Sequence, residues 1–164
     1  MTTQRPQPLP PGTRLARGKY TVEQVVGQGG FGYVYLARDA AGRPYAVKQC
    51  TDLSSSGQMQ FGYEVAVQKL LRHAAFVRLY AQFVEKTPAG STGGSQAPTE
   101  SLFTVMEYVP GPSLDDLLAE RLAQNGRPFP EADAVAWTAQ LLDALAHAHA
   151  VGVIHRDIKP GNLL

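Results

Sequence analysis

A chain of 164 residues is long enough for one ordinary domain with its own core, so the fold must be sought within a modest length. With 44% hydrophobic residues, 18% charged residues and a formal net charge of +1, it has the composition of a globular protein and lacks the basic surplus of a nucleic-acid or membrane-surface binder. The single cysteine, Cys50, excludes an internal disulfide and a cysteine zinc site; it fits a reducing compartment and reads as a small residue on a half-buried strand. The start, Met1-Thr2-Thr3-Gln4-Arg5-Pro6, has no apolar signal-peptide core, and no segment approaches the roughly 20 apolar residues of a spanning helix, so a cytoplasmic chain is expected.

In chain order, residues 1–17 are rich in proline and offer little to bury, which predicts a flexible leader with order beginning near Leu15. Between residues 20 and 49, short β-branched and aromatic runs such as Tyr33-Val34-Tyr35-Leu36 and Tyr45-Ala46-Val47 alternate with glycine turns, including Ala41-Gly42-Arg43. This pattern predicts a three-stranded antiparallel meander. Residues 57–72 change to helical spacing, with Phe61, Glu64, Val67 and Leu71 on one face, and residues 76–85 return to strand character. Residues 87–99 contain no Ile, Leu, Val or Phe and are filled with Gly, Ser, Thr and Pro, which predicts a mobile insertion between two strands. Residues 102–108 read as a strand, and Ser113-Leu114-Asp115-Asp116 opens a short helix in the manner of a capping box. Pro130 then opens a long helix to about Ala150, where Val135, Leu141, Leu142 and Leu145 make a broad apolar face that requires a partner. No internal repeat is visible.

The glycine motif Gly27-Gln28-Gly29-Gly30-Phe31-Gly32-Tyr33-Val34 fits G-x-G-x-x-G, a pattern that is weak alone because dinucleotide-binding units share it. Context separates the two. A dinucleotide fingerprint opens a helix, whereas here Val34-Tyr35-Leu36-Ala37 continues as a strand, so the glycines sit in a hairpin that can lie over phosphates with its amides exposed. A plain glycine-rich turn would suffice only if nothing downstream agreed.

Downstream, Ala46-Val47-Lys48, a helix carrying Glu64, the strand end Val105-Met106-Glu107-Tyr108-Val109 and the loop His155-Arg156-Asp157-Ile158-Lys159-Pro160-Gly161-Asn162 follow in order. With the glycine hairpin they give the chain, over residues 18–164, a resemblance to the N-terminal portion of a serine/threonine protein kinase of the bacterial, eukaryotic-like type, ending just after the catalytic loop. The resemblance implies an α+β fold. Residues 18–109 would form a complete small lobe of antiparallel sheet plus one helix, and residues 110–164 the first helices and catalytic loop of a large lobe.

The same resemblance implies roles that the residue chemistry can support. Lys48 would neutralise the α and β phosphates of ATP while Glu64 fixes it as an ion pair, and Gly27, Gln28, Gly29, Gly30, Phe31 and Gly32 would cover the phosphates. Read without the resemblance, Lys48 is an exposed strand lysine and Glu64 a solvated helix glutamate. Gln68, one turn beyond Glu64, stands where kinases usually have an apolar residue. Val34 and Ala46 would roof the adenine and Leu164 floor it, with the backbone of Glu107 and Val109 on the base edge, Met106 as gatekeeper and Ser113 near the ribose. Asp157 would accept or orient the substrate hydroxyl proton, Lys159 would stabilise the transferring phosphoryl group, and Asn162 would hold a magnesium ion. The Asp-x-Lys spacing resembles serine/threonine rather than tyrosine kinases. Arg156 would pair with a phosphorylated activation loop, and His155 would pack the loop. His147 and His149, two apart on a helix end, are poorly spaced for a shared metal and read as helix-end polar residues.

The family's Asp-Phe-Gly segment, activation loop and Ala-Pro-Glu segment are not among the 164 residues. Phosphoryl transfer depends on metal neutralisation, so lacking a principal magnesium ligand should slow it by orders of magnitude. The expected function is that of an ATP-dependent protein serine/threonine kinase with an incomplete catalytic domain, using ATP, Mg2+ and serine- or threonine-bearing protein substrates. The alternative is a non-catalytic pseudokinase-like module that binds a nucleotide or a partner. The joint presence of Lys48, Glu64, Asp157, Lys159 and Asn162 favours the first, because a binding module has no physical need of all five.

Overall fold

The computed structural model describes residues 7–29, 32–50, 54–87 and 99–164. The chain divides into two compact units, one of Met1–Gln68 with Arg78–Tyr108 and one of Lys69–Val77 with Val109–Leu164.

The first unit is built on an antiparallel sheet. Its strands are Arg14–Leu15 (β1), Tyr20–Gly29 (β2), Gly32–Arg38 (β3), Pro44–Cys50 (β4), Leu79–Thr87 (β5) and Thr99–Glu107 (β6), in spatial order β1-β2-β3-β4-β6-β5. The predicted meander is β2-β3-β4. Its second turn closes because the Asp39 carboxylate accepts from the amides of Ala41 and Arg43 at 2.9 and 3.0 Å, while Gly42 takes a φ of 78° that glycine reaches without steric cost.

Because strand side chains alternate, the sheet has two different faces. The outer face gathers Tyr20, Val22, Tyr35, Ala37, Val47, Phe103 and Val105 into the larger apolar cluster. The inner face packs Cys50, with Leu79 and Leu102, against Phe61 and Val65 of the helix Ser55–Leu70 (α1). That helix was expected over 57–72 with Phe61, Glu64, Val67 and Leu71 on one face. It instead buries Gly57, Phe61 and Val65, a four-residue spacing, and leaves Val67 half-buried. Three-fold and four-fold spacings share most positions on a short helix, and only the strand opposite decides between them.

The leader also differs from expectation where it is described. Leu9 is only 6% exposed, Gly12 donates to the Val22 carbonyl at 2.8 Å, and β1 pairs Arg14 with Thr21 and Leu15 with Tyr20. The chain is therefore packed from Leu9 onward, because one leucine among prolines finds an apolar seat that composition alone does not reveal. The insertion expected over 87–99 lies outside the described residues except for its ends, Thr87 and Thr99, which pair in register.

The second unit carries the helices Leu114–Asn125 (α2) and Glu131–Ala150 (α3) and a 3-10 turn at Pro160–Asn162. The expected capping box is present: Ser113 Oγ accepts from the Asp116 amide, and the Asp116 carboxylate accepts from the Ser113 amide at 3.1 Å. Gly126 ends α2 in a left-handed conformation, φ 63°. Phe129 and Trp137 meet edge-to-face at 4.9 Å, joining the α2–α3 connection to α3. Ala144 and Ala148 are buried, while Val135 and Leu142 are 61% and 60% exposed, so part of the apolar face read from the sequence is open. His147 does more than end the helix. Its ring lies 5.5 Å from that of His73, whose Nε2 lies 3.1 Å from the Asp143 carboxylate, so segment 69–77 is held against α3. Among the described residues no helix is long and apolar enough to cross a membrane.

Candidate functional site

In the first unit, strand register places four candidate residues on the inner face. Val34 pairs with Lys48 and Lys48 with Thr104; one step along, Leu36 pairs with Ala46 and Ala46 with Met106. Directly opposed residues in an antiparallel sheet project to the same side, so Val34, Ala46, Lys48 and Met106 share one surface. The Lys48 ammonium lies 2.5 Å from Glu64 Oε2, and both side chains are partly exposed, at 29% and 40%. Their pairing requires the helix and the strand to be packed, since Phe61 and Val65 fix α1 on this face and carry Glu64 between them in sequence. Thr104, 3% exposed and opposite Lys48, was not singled out by sequence reasoning. Its alternation with Met106 on a predicted strand was the available signal.

The glycine hairpin is described up to Gly29 and from Gly32; Gly30 and Phe31 lie outside the described residues. Gly27 opposes Val34, Gln28 opposes Tyr33 and Gly29 opposes Gly32. Gly32 is demanded by packing: its φ is 143°, and a Cβ there would lie 2.1 Å from the Gln49 carbonyl oxygen. This close approach sets the end of the hairpin tightly beside β4, the strand that carries Lys48.

At the end of β6, Met106 is half-buried. The Glu107 amide donates to the Arg78 carbonyl at 2.8 Å, and the Glu107 carboxylate accepts from the Arg78 amide at 3.1 Å. Val109 opens the second unit. There Ser113 is engaged as the N-cap of α2, its hydroxyl donating to Asp116 Oδ2 at 2.6 Å, and Leu114 donates to the Leu163 carbonyl at 2.8 Å, which sets the start of α2 beside the end of the chain. Leu164 is 69% exposed.

The loop after α3 forms a compact knot. Lys159 Nζ lies 3.1 Å from Asp157 Oδ1, and the Asn162 side-chain amide donates both to the Asp157 carbonyl at 2.8 Å and to Asp157 Oδ2 at 2.9 Å. The hydrogen bond from Lys159, and then that from Asn162, hold the Asp157 carboxyl below its ordinary value. Asp157 is therefore a carboxylate at neutral pH, able to accept a proton or orient a hydroxyl. Pro160 starts the turn that swings Asn162 back to Asp157, a five-residue return that a linear reading of the motif does not show. His155 is exposed instead of packed, and its Nδ1 accepts from the Asp157 amide at 3.4 Å. Arg156 sits at a φ of 65°, an unusual conformation for a residue with a side chain, held within this knot. Among the described residues no cluster of three or more His, Cys, Asp or Glu side chains could hold a metal ion.

The chain is similar to known proteins in the way this geometry suggests. The sequence pattern of the protein kinase domain matches residues 20–164. A CBL-interacting serine/threonine-protein kinase 24 from Arabidopsis thaliana is 34% identical over 151 residues, covering 90% of this chain and 30% of that protein. A CBL-interacting protein kinase 21 from Oryza sativa subsp. japonica is 34% identical over 154 residues, covering 92% of this chain and 26% of the relative. An Aurora kinase from Yarrowia lipolytica is 29% identical over 170 residues, covering 99% of this chain and 41% of the relative. The chain thus spans between about a quarter and two fifths of the length of these curated relatives. The match over most of its length, together with the ordered motifs and their geometry, makes this chain a member of the protein kinase family.

Proposed function

We propose that these residues serve ATP-dependent transfer of a phosphoryl group to serine and threonine hydroxyls of proteins. The observation that carries the reading is the Lys48–Glu64 ion pair on the same sheet face as Val34, Ala46 and Met106. A bare lysine would wander; a lysine held by a carboxylate offers a fixed positive charge to the α and β phosphates. The hairpin of Gly27, Gln28, Gly29, Gly30, Phe31 and Gly32 would cover those phosphates with backbone amides. Val34 and Ala46 would lie against the adenine with Met106 as gatekeeper, the backbone of Glu107 and Val109 would meet its edge, and Ser113 and Leu164 would complete the nucleoside contacts.

In the second unit Asp157 would orient the substrate hydroxyl and take its proton, and Lys159 would offset charge on the transferring group. A magnesium ion, which the family implies, suits Asn162: the amide nitrogen is tied to Asp157, which leaves the amide oxygen, a hard ligand, for the cation. When bound, the ion would neutralise phosphate oxygens. The second metal ligand of the family, an Asp-Phe-Gly aspartate, is not among the 164 residues, so full-rate transfer is assigned to a protein that joins these residues to such a ligand. Serine/threonine preference rests on the Asp157-x-Lys159 spacing. The bacterial, eukaryotic-like subtype and a cytoplasmic location are parts of the same proposal and rest on the sequence alone.

A second reading, a non-catalytic partner-binding module, draws support from the exposed Val135 and Leu142 on α3. The test is phosphate incorporation into a general protein substrate with magnesium and ATP, using a protein that carries these residues and an Asp-Phe-Gly-type ligand. Transfer to serine and threonine that falls about 100-fold or more in Asp157→Asn is expected. Transfer indifferent to Asp157→Asn, or confined to tyrosine, would overturn the assignment; no transfer at all would favour the binding module.

A further inference from the structure

The outer face of the first unit's sheet carries a feature that phosphoryl transfer does not call for. Three buried polar groups line up across it: Tyr35 Oη donates to Gln49 Oε1 at 2.6 Å, and Gln49 Nε2 donates to Ser101 Oγ at 3.0 Å, with Tyr35, Gln49 and Ser101 all 2% exposed or less. At the open end of this chain the Leu9 amide donates to Tyr35 Oη at 3.0 Å. Leu9 lies in Pro8-Leu9-Pro10-Pro11, where proline has no N–H, so this amide is the only backbone donor in the four residues, and it is the one satisfied in the interior. Its side chain enters the cluster formed by Tyr20, Val22, Tyr35 and Val47, while Pro8 and Pro10 stay exposed on either side. One apolar anchor, one directed hydrogen bond and proline flanks that restrict the free segment are the elements by which aromatic-lined surfaces recognise extended proline-rich peptides.

We propose that the outer sheet face is a docking groove for an extended, leucine-anchored, proline-flanked segment, occupied in cis by residues 7–13 as a releasable strap. Past the anchor the strap is sewn to β2 by Gly12 donating to the Val22 carbonyl and Val22 donating to the Thr13 carbonyl, at 2.8 and 2.9 Å. It continues into β1, whose turn to β2 runs through Ala16 and Arg17 at φ 52° and 58°, with the Ala16 amide held by the Glu85 carboxylate at 2.8 Å. The strap is held by one buried side chain, the Leu9 amide bond and two backbone bonds to Val22 at the β1 edge of the sheet, so it can peel away while the β2-β3-β4-β6-β5 pairings stay intact, and a peptide of the same chemistry is the kind of partner that fits the vacated seat. Tyr35, Val47 and Gln49 alternate along β3 and β4 with Val34, Ala46 and Lys48, so occupancy of the outer groove also steadies the strands that carry the inner face. The proposal stands independently of phosphoryl transfer.

The test is residue-resolved hydrogen exchange on the full chain. The Leu9 amide should be protected at least about tenfold over a free peptide. Leu9→Asp should abolish protection across residues 7–13 and raise exchange in β3 and β4, and adding a peptide of residues 4–13 should restore protection in β3 and β4, whereas the same peptide carrying Leu9→Asp should not. Should Leu9→Asp not fold, Tyr35→Phe keeps the ring but removes both the acceptor of the Leu9 amide and the donor to Gln49, and should release the Leu9 amide while the Gly12 and Val22 amides stay protected. Free-rate exchange at Leu9 in the parent, no change in β3 and β4 on Leu9→Asp, or failure of the peptide to bind would overturn the groove. Protection that grows with protein concentration would overturn occupancy in cis in favour of exchange between copies.

Discussion

Gly32 illustrates how tightly single residues are fixed. Its missing Cβ lets the hairpin approach to within contact of the Gln49 carbonyl, so Gly32→Ala must push β3 away from β4. We predict a loss of more than about 1 kcal/mol, measured as a lower midpoint in denaturant, because the native φ is one alanine rarely adopts. Tyr35 makes a pH prediction. Burial pushes its hydroxyl from 10.0 up to about 12, so the folded state keeps the proton longer than the unfolded chain. That contribution to stability is fully present below pH 10 and is lost as pH rises from 10 toward about 12. Tyr35→Phe should flatten this part of the stability-versus-pH curve; an unchanged slope would assign it to other groups. Asp157 behaves in the opposite sense. Its carboxyl is held low by Lys159 and Asn162, so the interaction is present at neutral pH and is lost as pH falls through the depressed value. Lys159→Ala should move the Asp157 titration, followed by carboxyl NMR, back toward 3.8.

At the scale of elements, the strands and helices were legible wherever a pattern had a physical reason to repeat. The β2-β3-β4 meander showed through alternation punctuated by glycine, α2 through the Ser113–Asp116 box, and α3 through Pro130 and its long apolar periodicity. The catalytic-loop residues were visible as a motif, but the return of the Asn162 amide onto Asp157 depends on the turn begun at Pro160 and has no linear signature. The sequence grouped Phe61 with Val67 and Leu71 on one face of α1, whereas the residue buried beside Phe61 is Val65, chosen by Cys50, Leu79 and Leu102 opposite it, all distant in sequence. The leader was misread for a related reason: proline richness describes the unfolded segment, whereas the seat for Leu9 is made by Tyr20, Val22 and Tyr35.

For the whole molecule, two compact units divide the candidate chemistry. One carries Lys48 with Glu64, and the other carries Asp157, Lys159 and Asn162. The exposed Val135 and Leu142 contribute little to the stability of this chain, and Val135→Lys with Leu142→Lys should change it by no more than about 0.5 kcal/mol per site in thermal unfolding. The claim that most depends on the first unit is that the charge held by Glu64 is there for a nucleotide. Titration of magnesium-ATP into the chain by calorimetry, alongside Lys48→Met, tests it most directly. Saturable binding that weakens at least about tenfold in Lys48→Met is the predicted result. A folded chain that binds no nucleotide, or binds it equally well without the lysine, would contradict the account.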